Sequence, residues 1–171
     1  IDAEGNVTGS LSPCRTLEIL GHPEARTLCG GQGEWTLLDR RLVHEALFWR
    51  CFLPAPAVTV RRRLYDVIGP YDPTLFIEDL DCWFRTSQYF DFVYLRWPLV
   101  SYRIHATNFS SGISERYLDS LAGTLRRHRH AAPLPSTRYA MRRHLREETY
   151  RVINRLARGG LHGKAARAFF R

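Results

Sequence analysis

The spacing of apolar residues predicts a helix between Glu34 and Phe52. Apolar side chains recur there every three or four positions, the period that places them on one helical face: Leu37, Leu38, Leu42, Ala46, Leu47 and Phe48. Pro54 and Pro56 follow. Because proline lacks the amide hydrogen that a helix interior needs, these two residues are expected to end the helix.

The same period predicts further helices later in the chain. One runs from about Glu78 to Phe90, and two longer ones cover residues 114–130 and 137–158, with a last piece after Gly159-Gly160. The end of the chain is therefore predicted to be entirely helical.

Short β-prone runs lie between the earlier helices. Strands are predicted for AVTV (57–60), FVYL (92–95) and LVSYRIH (99–105), and a tight turn with a short return strand is predicted around Glu4-Gly5-Asn6. Residues 12–33 are rich in glycine and proline and are expected to be irregular. Strands that alternate with helices indicate an α/β layer, to which a helical region is appended.

Composition is that of an ordinary globular domain. The 171 residues are 44% hydrophobic, and no apolar run approaches the ~20 residues of a membrane span. The four cysteines form no CxxC pair, which favours reduced thiols in a cytoplasmic protein over a zinc or disulfide framework. The chain opens on Ile1, which predicts a processed or partial chain.

The net charge of +8 belongs to the end of the chain. Residues 1–125 hold 12 basic and 15 acidic side chains, whereas residues 126–171 hold 13 basic and 2 acidic ones. In the predicted helix at 137–158, arginines surround an apolar stripe. Such a helix can lie on an anionic membrane surface, or it can pack its stripe on the domain and leave the arginines in water.

The stretch EDLDCWFR at residues 78–85 places three acids within four positions, where a helix is predicted to begin. Acids in a first helical turn are favoured by the helix dipole by about 0.3–1 kcal/mol each. That effect explains Glu78, Asp79 and Asp81 without any chemistry. The alternative is that one of these acids takes part in a reaction.

The order of motifs around the acids resembles the second half of the family-two inverting glycosyltransferases, which have the GT-A fold. In that family a glycine-containing loop precedes an acidic pair written xED, the pair heads a helix, and a Y-R-x-H strand follows. The matching residues here are Gly69 to Asp72, Ile77-Glu78-Asp79 and Tyr102-Arg103-Ile104-His105. The resemblance covers roughly residues 1–112 and is tightest over 56–110.

The resemblance implies a role for each acid of the pair. Asp79 would be the general base that removes the proton of an acceptor hydroxyl as this hydroxyl attacks the anomeric carbon of a nucleotide-sugar. Glu78 would orient the acceptor. The helix dipole is expected to make Asp79 a weaker base, so that proton transfer comes late.

The resemblance also implies the other site residues. Gly69, Trp83 and Arg103 would contact the acceptor, although Trp83 can instead belong to the core and Arg103 can pair with Glu78 or Asp79. His105 would join a carboxylate motif, DxD, as a ligand of a divalent metal, Mn²⁺ or Mg²⁺, that serves the nucleoside diphosphate leaving group. The alternative for His105 is a polar residue at a strand end.

The chain departs from the family in one respect. No DxD precedes Asp79 in a suitable place, and IDAEGNVTG itself resembles the segment that follows the DxD strand. The expectation is therefore a C-terminal portion of a GT-A fold with a helical tail. Residues 1–112 would form the acceptor side and residues 113–171 the basic helical region, and the chain would be inactive, or nearly so, by itself.

The resemblance implies a metal-dependent bacterial transferase of polysaccharide biosynthesis that lies in the cytoplasm, at or near the inner face of the membrane. Its partners would be a nucleotide-sugar donor and a carbohydrate or lipid-linked acceptor, with peripheral membrane contact through residues 137–158. Two other functions stay open: a carbohydrate-binding remnant without catalysis, and nucleic-acid binding through the tail. Against the latter, the tail lacks interleaved exposed aromatic residues and any recognition motif, so no specific nucleic acid is expected.

Overall fold

The structure is a computed structural model of the 171-residue chain, and it describes residues 2, 4–7, 33–105, 108, 115–129, 135–158 and 160. The elements in chain order are β1 (Trp35–Leu38), α1 (Arg40–Trp49), a 3₁₀ turn (Ala55–Ala57), α2 (Leu64–Ile68), α3 (Glu78–Thr86), β2 (Phe92–Leu95), α4 (Glu115–His128) and α5 (Pro135–Arg158). Among the helices described, none is both long enough and apolar enough to cross a bilayer.

The N-terminal part of the first predicted helix is a strand instead. Residues Trp35–Leu38 form β1, which pairs antiparallel with β2 in the register Trp35 to Leu95 and Leu38 to Phe92. The helix begins only after Asp39, whose carboxylate accepts hydrogen bonds from the amides of Arg41 (2.7 Å) and Leu42 (3.4 Å). This N-cap fixes the start of the helix, because the Asp39 carboxylate accepts from two first-turn amides that have no partner within the helix.

The strand FVYL and the two long helices near the end of the chain are confirmed as β2, α4 and α5. AVTV and LVSYRIH are not strands, because neither run has a ladder partner in the described part of the chain. The helix predicted to reach Phe90 ends at Thr86, where the Ser87 hydroxyl donates to the carbonyl of Phe84 (2.8 Å) and turns follow.

At the N-terminus the predicted turn is present, since the amide of Asp2 donates to the carbonyl of Asn6 (2.9 Å). Its return strand, nearly all of residues 12–33 and the last helical piece lie outside the described residues.

One core joins the two-stranded sheet and helices of residues 35–95 with the two C-terminal helices. Phe48 of α1 packs against Phe84 of α3 with ring centroids 4.7 Å apart, and the same cluster includes Leu121 of α4 and Ala140 of α5. The apolar side of α5 is thus buried against the domain. Helix α5 is consequently part of the body of the protein, and its arginines lie on the remaining faces.

The outer face of the small sheet is apolar and exposed. Cross-strand neighbours Trp35 and Leu95, and Leu37 and Val93, alternate with the inward residues of both strands, and all four side chains are exposed. The described residues therefore cover the sheet on one side only.

Asp81 connects α3 directly to α4 and, through Arg85, to the turn at Gly69. Its side chain is 1% exposed, and it accepts hydrogen bonds from Arg85 (2.9 Å), Arg127 (3.1 Å) and His128 (2.9 Å). Burial opposes the charged form, but the hydrogen bonds from His128 and Arg85 prevail and lower the pKa of Asp81 to about 2. The stabilisation is present above the ordinary carboxyl pKa and is lost as the pH falls through about 2.

Arg85 links Asp81 to the glycine turn at Gly69. Its guanidinium donates to the carbonyls of Ile68, Gly69 (3.2 Å) and Pro70 (2.9 Å). Gly69 ends α2 with φ of 76°, a left-handed conformation that glycine adopts without a steric penalty. The Asp81–Arg85 pair therefore fixes the loop that leads to the acid pair.

We expect Asp81→Asn to lower the free energy of unfolding by roughly 3–5 kcal/mol, because the half-buried Arg85 and the exposed Arg127 lose their counter-charge. The buried His128 loses its charged hydrogen-bond acceptor as well. Guanidinium denaturation at neutral pH measures this change. The control Asp66→Asn alters an exposed acid of α2 and should change stability by less than about 0.5 kcal/mol. A loss in Asp81→Asn no larger than that of the control would contradict this role.

Candidate functional site

The acid pair lies on a cleft at the start of α3. Glu78 and Asp79 are half-buried, and the Asp79 carboxylate accepts a hydrogen bond from the amide of Leu80 (2.8 Å). The cleft, here called the Asp79 cleft, has a volume of about 370 Å³. It is lined by the end of α1, the start of α3, α4 and α5: Arg50, Cys51, Phe76, Ile77, Glu78, Asp79, Tyr117, His144, Glu148 and Arg151.

The pKa of Asp79 is raised above the ordinary aspartate value. Burial of the carboxylate is the largest cause, and the negative charge of Glu78 adds to it, while the hydrogen bond from Leu80 acts in the opposite direction. The expected lowering by the helix terminus is present as the hydrogen bond from the amide of Leu80, but the net shift of the Asp79 pKa is in the opposite direction. Desolvation outweighs the helix terminus, so Asp79 is a stronger base than an exposed aspartate.

No cation pairs with either acid of the pair in the described part of the chain. The ion pairs found there involve Asp72, Asp81, Glu147 and Glu148. An Asp79 carboxylate without a counter-ion keeps its raised pKa and its capacity to accept a proton.

Arg103 lies away from the acid pair. Its guanidinium donates to the backbone carbonyl of Asp2 (3.3 Å), which connects residues 99–105 with the N-terminal turn. The alternative that Arg103 pairs with Glu78 or Asp79 is not realised, and Arg103 is absent from the lining of the Asp79 cleft.

Trp83 is a core residue. Its side chain is 1% exposed, and its indole N–H donates to the carbonyl of Leu53 (2.8 Å). A buried ring cannot stack on a sugar, so the assignment of Trp83 to acceptor binding is corrected. Gly69 is also absent from the cleft lining. Its turn affects the cleft only by setting the position of the loop before Glu78.

His105 is exposed and lies outside the Asp79 cleft, and its amide donates to the side chain of Asn108. Over the residues that the structure describes, no group of three or more His, Cys, Asp or Glu side chains could hold a metal ion. The described residues therefore do not fit the expected metal centre around His105. A DxD motif would have to come from elsewhere.

Sequence reasoning missed the residues that α5 brings to the cleft. Ala140, His144, Glu148 and Val152 are all buried and follow one another at intervals of four, which is one face of α5. Two of them are polar. This interruption of a buried stripe by a histidine and a glutamate was the available signal, but the abundant arginines of the helix drew the interpretation toward its surface.

His144 is neutral at pH 7. Burial lowers its pKa to about 4, and its Nδ1–H donates to the carbonyl of Phe48 (3.2 Å). The charged groups of the cleft are consequently the carboxylates of Glu78, Asp79 and Glu148 and the guanidinium groups of Arg50 and Arg151.

We expect Glu78→Gln to lower the titration midpoint of the Asp79 carboxyl, because the substitution removes the neighbouring negative charge. ¹³C NMR of the side-chain carboxyl measures this midpoint in the 171-residue chain. Asp66→Asn serves as the control and should leave it unchanged. A wild-type midpoint at or below the ordinary aspartate value would contradict the account of the site.

Comparison with protein-family models, with curated proteins and with solved structures found no match. The glycosyltransferase interpretation therefore rests on the ordered motifs of the sequence and on the geometry of the Asp79 cleft.

Proposed function

We propose that this chain is the acceptor-side part of an inverting glycosyltransferase in which Asp79 is the general base. The observation that supports this most is the state of Asp79: a carboxylate on the wall of a cleft, with a raised pKa and no ion-pair partner among the described residues. A purely structural acid of α3 has the opposite environment, as Asp81 does. Asp81 is buried and surrounded by cations, and its pKa is lowered.

The proposed reaction needs one proton acceptor at the site of attack. An acceptor hydroxyl attacks the anomeric carbon of the nucleotide-sugar, the bond from that carbon to the nucleoside diphosphate breaks, and the hydroxyl proton moves to Asp79. General-base catalysis of this kind contributes typically ~10²–10⁴-fold. The hydrogen bond from Leu80 holds the carboxyl group in place, and Glu78 helps to keep its pKa raised.

The described residues account for the acceptor side alone. The contacts to the nucleotide are assigned to residues outside those described, and the proposal includes no step through a metal, since the described residues form no ligand set around His105. The substrates are a nucleotide-sugar donor and a carbohydrate or lipid-linked acceptor.

We expect Asp79→Asn in the full-length protein to lower kcat by ~10²–10⁴-fold, with little change in acceptor affinity, because the amide cannot take a proton. The assay is release of nucleoside diphosphate from a panel of nucleotide-sugars, with simple glycosides as acceptors. Glu78→Gln is the matched control, with a smaller effect.

Asp79→Asn turnover within threefold of wild type would contradict catalysis by Asp79. Sugar binding by a wild-type protein that shows no turnover with any donor of the panel would instead favour the carbohydrate-binding remnant.

A second activity is supported by the surface of α5. Arg138, Arg142 and Arg146 are exposed and spaced by four, so they form one basic stripe, while the apolar side of the helix is buried in the core. Apart from the exposed Tyr139 and Tyr150, the described apolar side chains of α5 are buried or half-buried, so they form no face that could insert into a bilayer. What it offers an anionic membrane is electrostatic attraction, about 1 kcal/mol per arginine near the surface.

We expect the chain to co-sediment with vesicles that contain phosphatidylglycerol, and to be released by high salt, because the attraction is electrostatic. Replacing Arg138, Arg142 and Arg146 together with glutamine should abolish binding. Replacing the exposed residues Arg61, Arg62 and Arg63 in the same way is the control with equal charge loss. Equal binding by both variants, or none by wild type, would refute attachment through α5.

A further inference from the structure

Glu148 of α5 is a buried carboxylate with an unequal environment at its two oxygens. The side chain is 2% exposed, and Oε1 accepts hydrogen bonds from Arg50 (3.3 Å) and Arg151 (3.0 Å). Oε2 is buried and has no hydrogen-bond donor among the described residues. A buried acceptor in this condition is destabilising, and a donor from a bound molecule would supply the missing hydrogen bond.

The Asp79 cleft is the place from which such a donor would come, because Glu148 and Asp79 line the same cleft. Donors are also present beside Glu148. A guanidinium carries five N–H groups, and Arg50 uses one of its own for Glu148, so further N–H groups of Arg50 can donate. Glu148 and Arg50 thus offer an acceptor and a donor side by side.

The charges of the cleft favour a neutral ligand. Two guanidinium groups lie against Oε1 and disfavour a bound cation, while Glu78, Asp79 and Glu148 disfavour an anion such as phosphate. A molecule with adjacent hydroxyl groups satisfies both partners, since one hydroxyl donates to Glu148 and its neighbour accepts from Arg50.

An apolar wall completes the arrangement. Phe76 and Tyr117 line the same cleft, and their rings meet edge to face with centroids 6.1 Å apart. Ring surfaces beside a few convergent polar groups are typical of small-molecule sites, and they suit the C–H face of a pyranose.

We propose that Glu148 and Arg50 bind a pair of adjacent hydroxyls on the acceptor sugar, so that α5 supplies acceptor recognition next to Asp79. The chemical identification of the ligand as an acceptor rests on the proposed function, whereas the binding of a vicinal diol does not. Helix α5 is then a component of the substrate site as well as a packing element.

The test uses the 171-residue chain and methyl glycosides of glucose, galactose, mannose and rhamnose as probes, followed by ¹H–¹⁵N NMR titration. At least one glycoside should bind saturably, and its shift changes should centre on Cys51, Tyr117 and Glu148. Glu148→Gln places an amide donor where an acceptor is needed and should weaken binding about tenfold or more.

Glu147→Gln is the matched control. Glu147 precedes Glu148 on α5 but pairs with Arg143 (2.8 Å) and lies outside the Asp79 cleft, so its replacement should leave affinity unchanged. If Glu148→Gln does not fold, the shift map of the wild-type chain still decides. Shift changes elsewhere, no saturable binding by any glycoside, or tighter binding of inorganic phosphate or putrescine than of every glycoside would overturn the proposal.

The outcome is independent of catalysis. Glycoside binding through Glu148 together with full turnover by Asp79→Asn would leave this inference standing and remove the proposed general base. Loss of turnover in Asp79→Asn with no glycoside bound at Glu148 would do the reverse.

Discussion

The buried charge of Asp81 is the interaction on which the arrangement of the site depends. Successive residues of a helix turn by about 100°, so Asp79 and Asp81 leave α3 on opposite sides. Asp81 points into the protein, where Arg85, Arg127 and His128 surround it, and it thereby fixes α3 against α4 and the glycine turn. Asp79 is left on the cleft, and none of the ion pairs among the described residues includes it.

Two acids of the same cluster thus acquire opposite properties from their surroundings. Hydrogen-bonding cations lower the pKa of Asp81, whereas burial and a neighbouring carboxylate raise the pKa of Asp79. The helix dipole favours the ionised form of both carboxyl groups but sets the pKa of neither, because its effect is only about 0.3–1 kcal/mol at an exposed position. The helix dipole alone therefore explains the pKa shift of neither Asp79 nor Asp81.

Local patterns predicted what local forces determine. The period of apolar residues located α4 and α5, and the β-branched and aromatic run FVYL located β2. Strand β1 was missed because its partner lies more than fifty residues away, and because the cap at Asp39 was read as part of a helix. LVSYRIH has the composition of a strand but no partner among the described residues, and strand formation depends on pairing.

The acid pair could be found from the sequence, but its cleft could not. The wall formed by His144, Glu148 and Arg151 depends on how α5 packs against α1 and α4, which is a tertiary property. The burial of Trp83, by contrast, could be read from the sequence, because Trp83 shares a helical face with Leu80 and Phe84.

The central claim is that the carboxylate of Asp79 must be ionised for transfer to occur. The pH dependence of kcat/KM reports the essential base of the free enzyme, so it tests this claim most directly when it is compared with the NMR titration of Asp79. The account predicts an acid limb above the ordinary aspartate range, with a midpoint equal to that of the Asp79 carboxyl. An acid limb at or below the ordinary range, or one that does not follow the titration of Asp79, would contradict it.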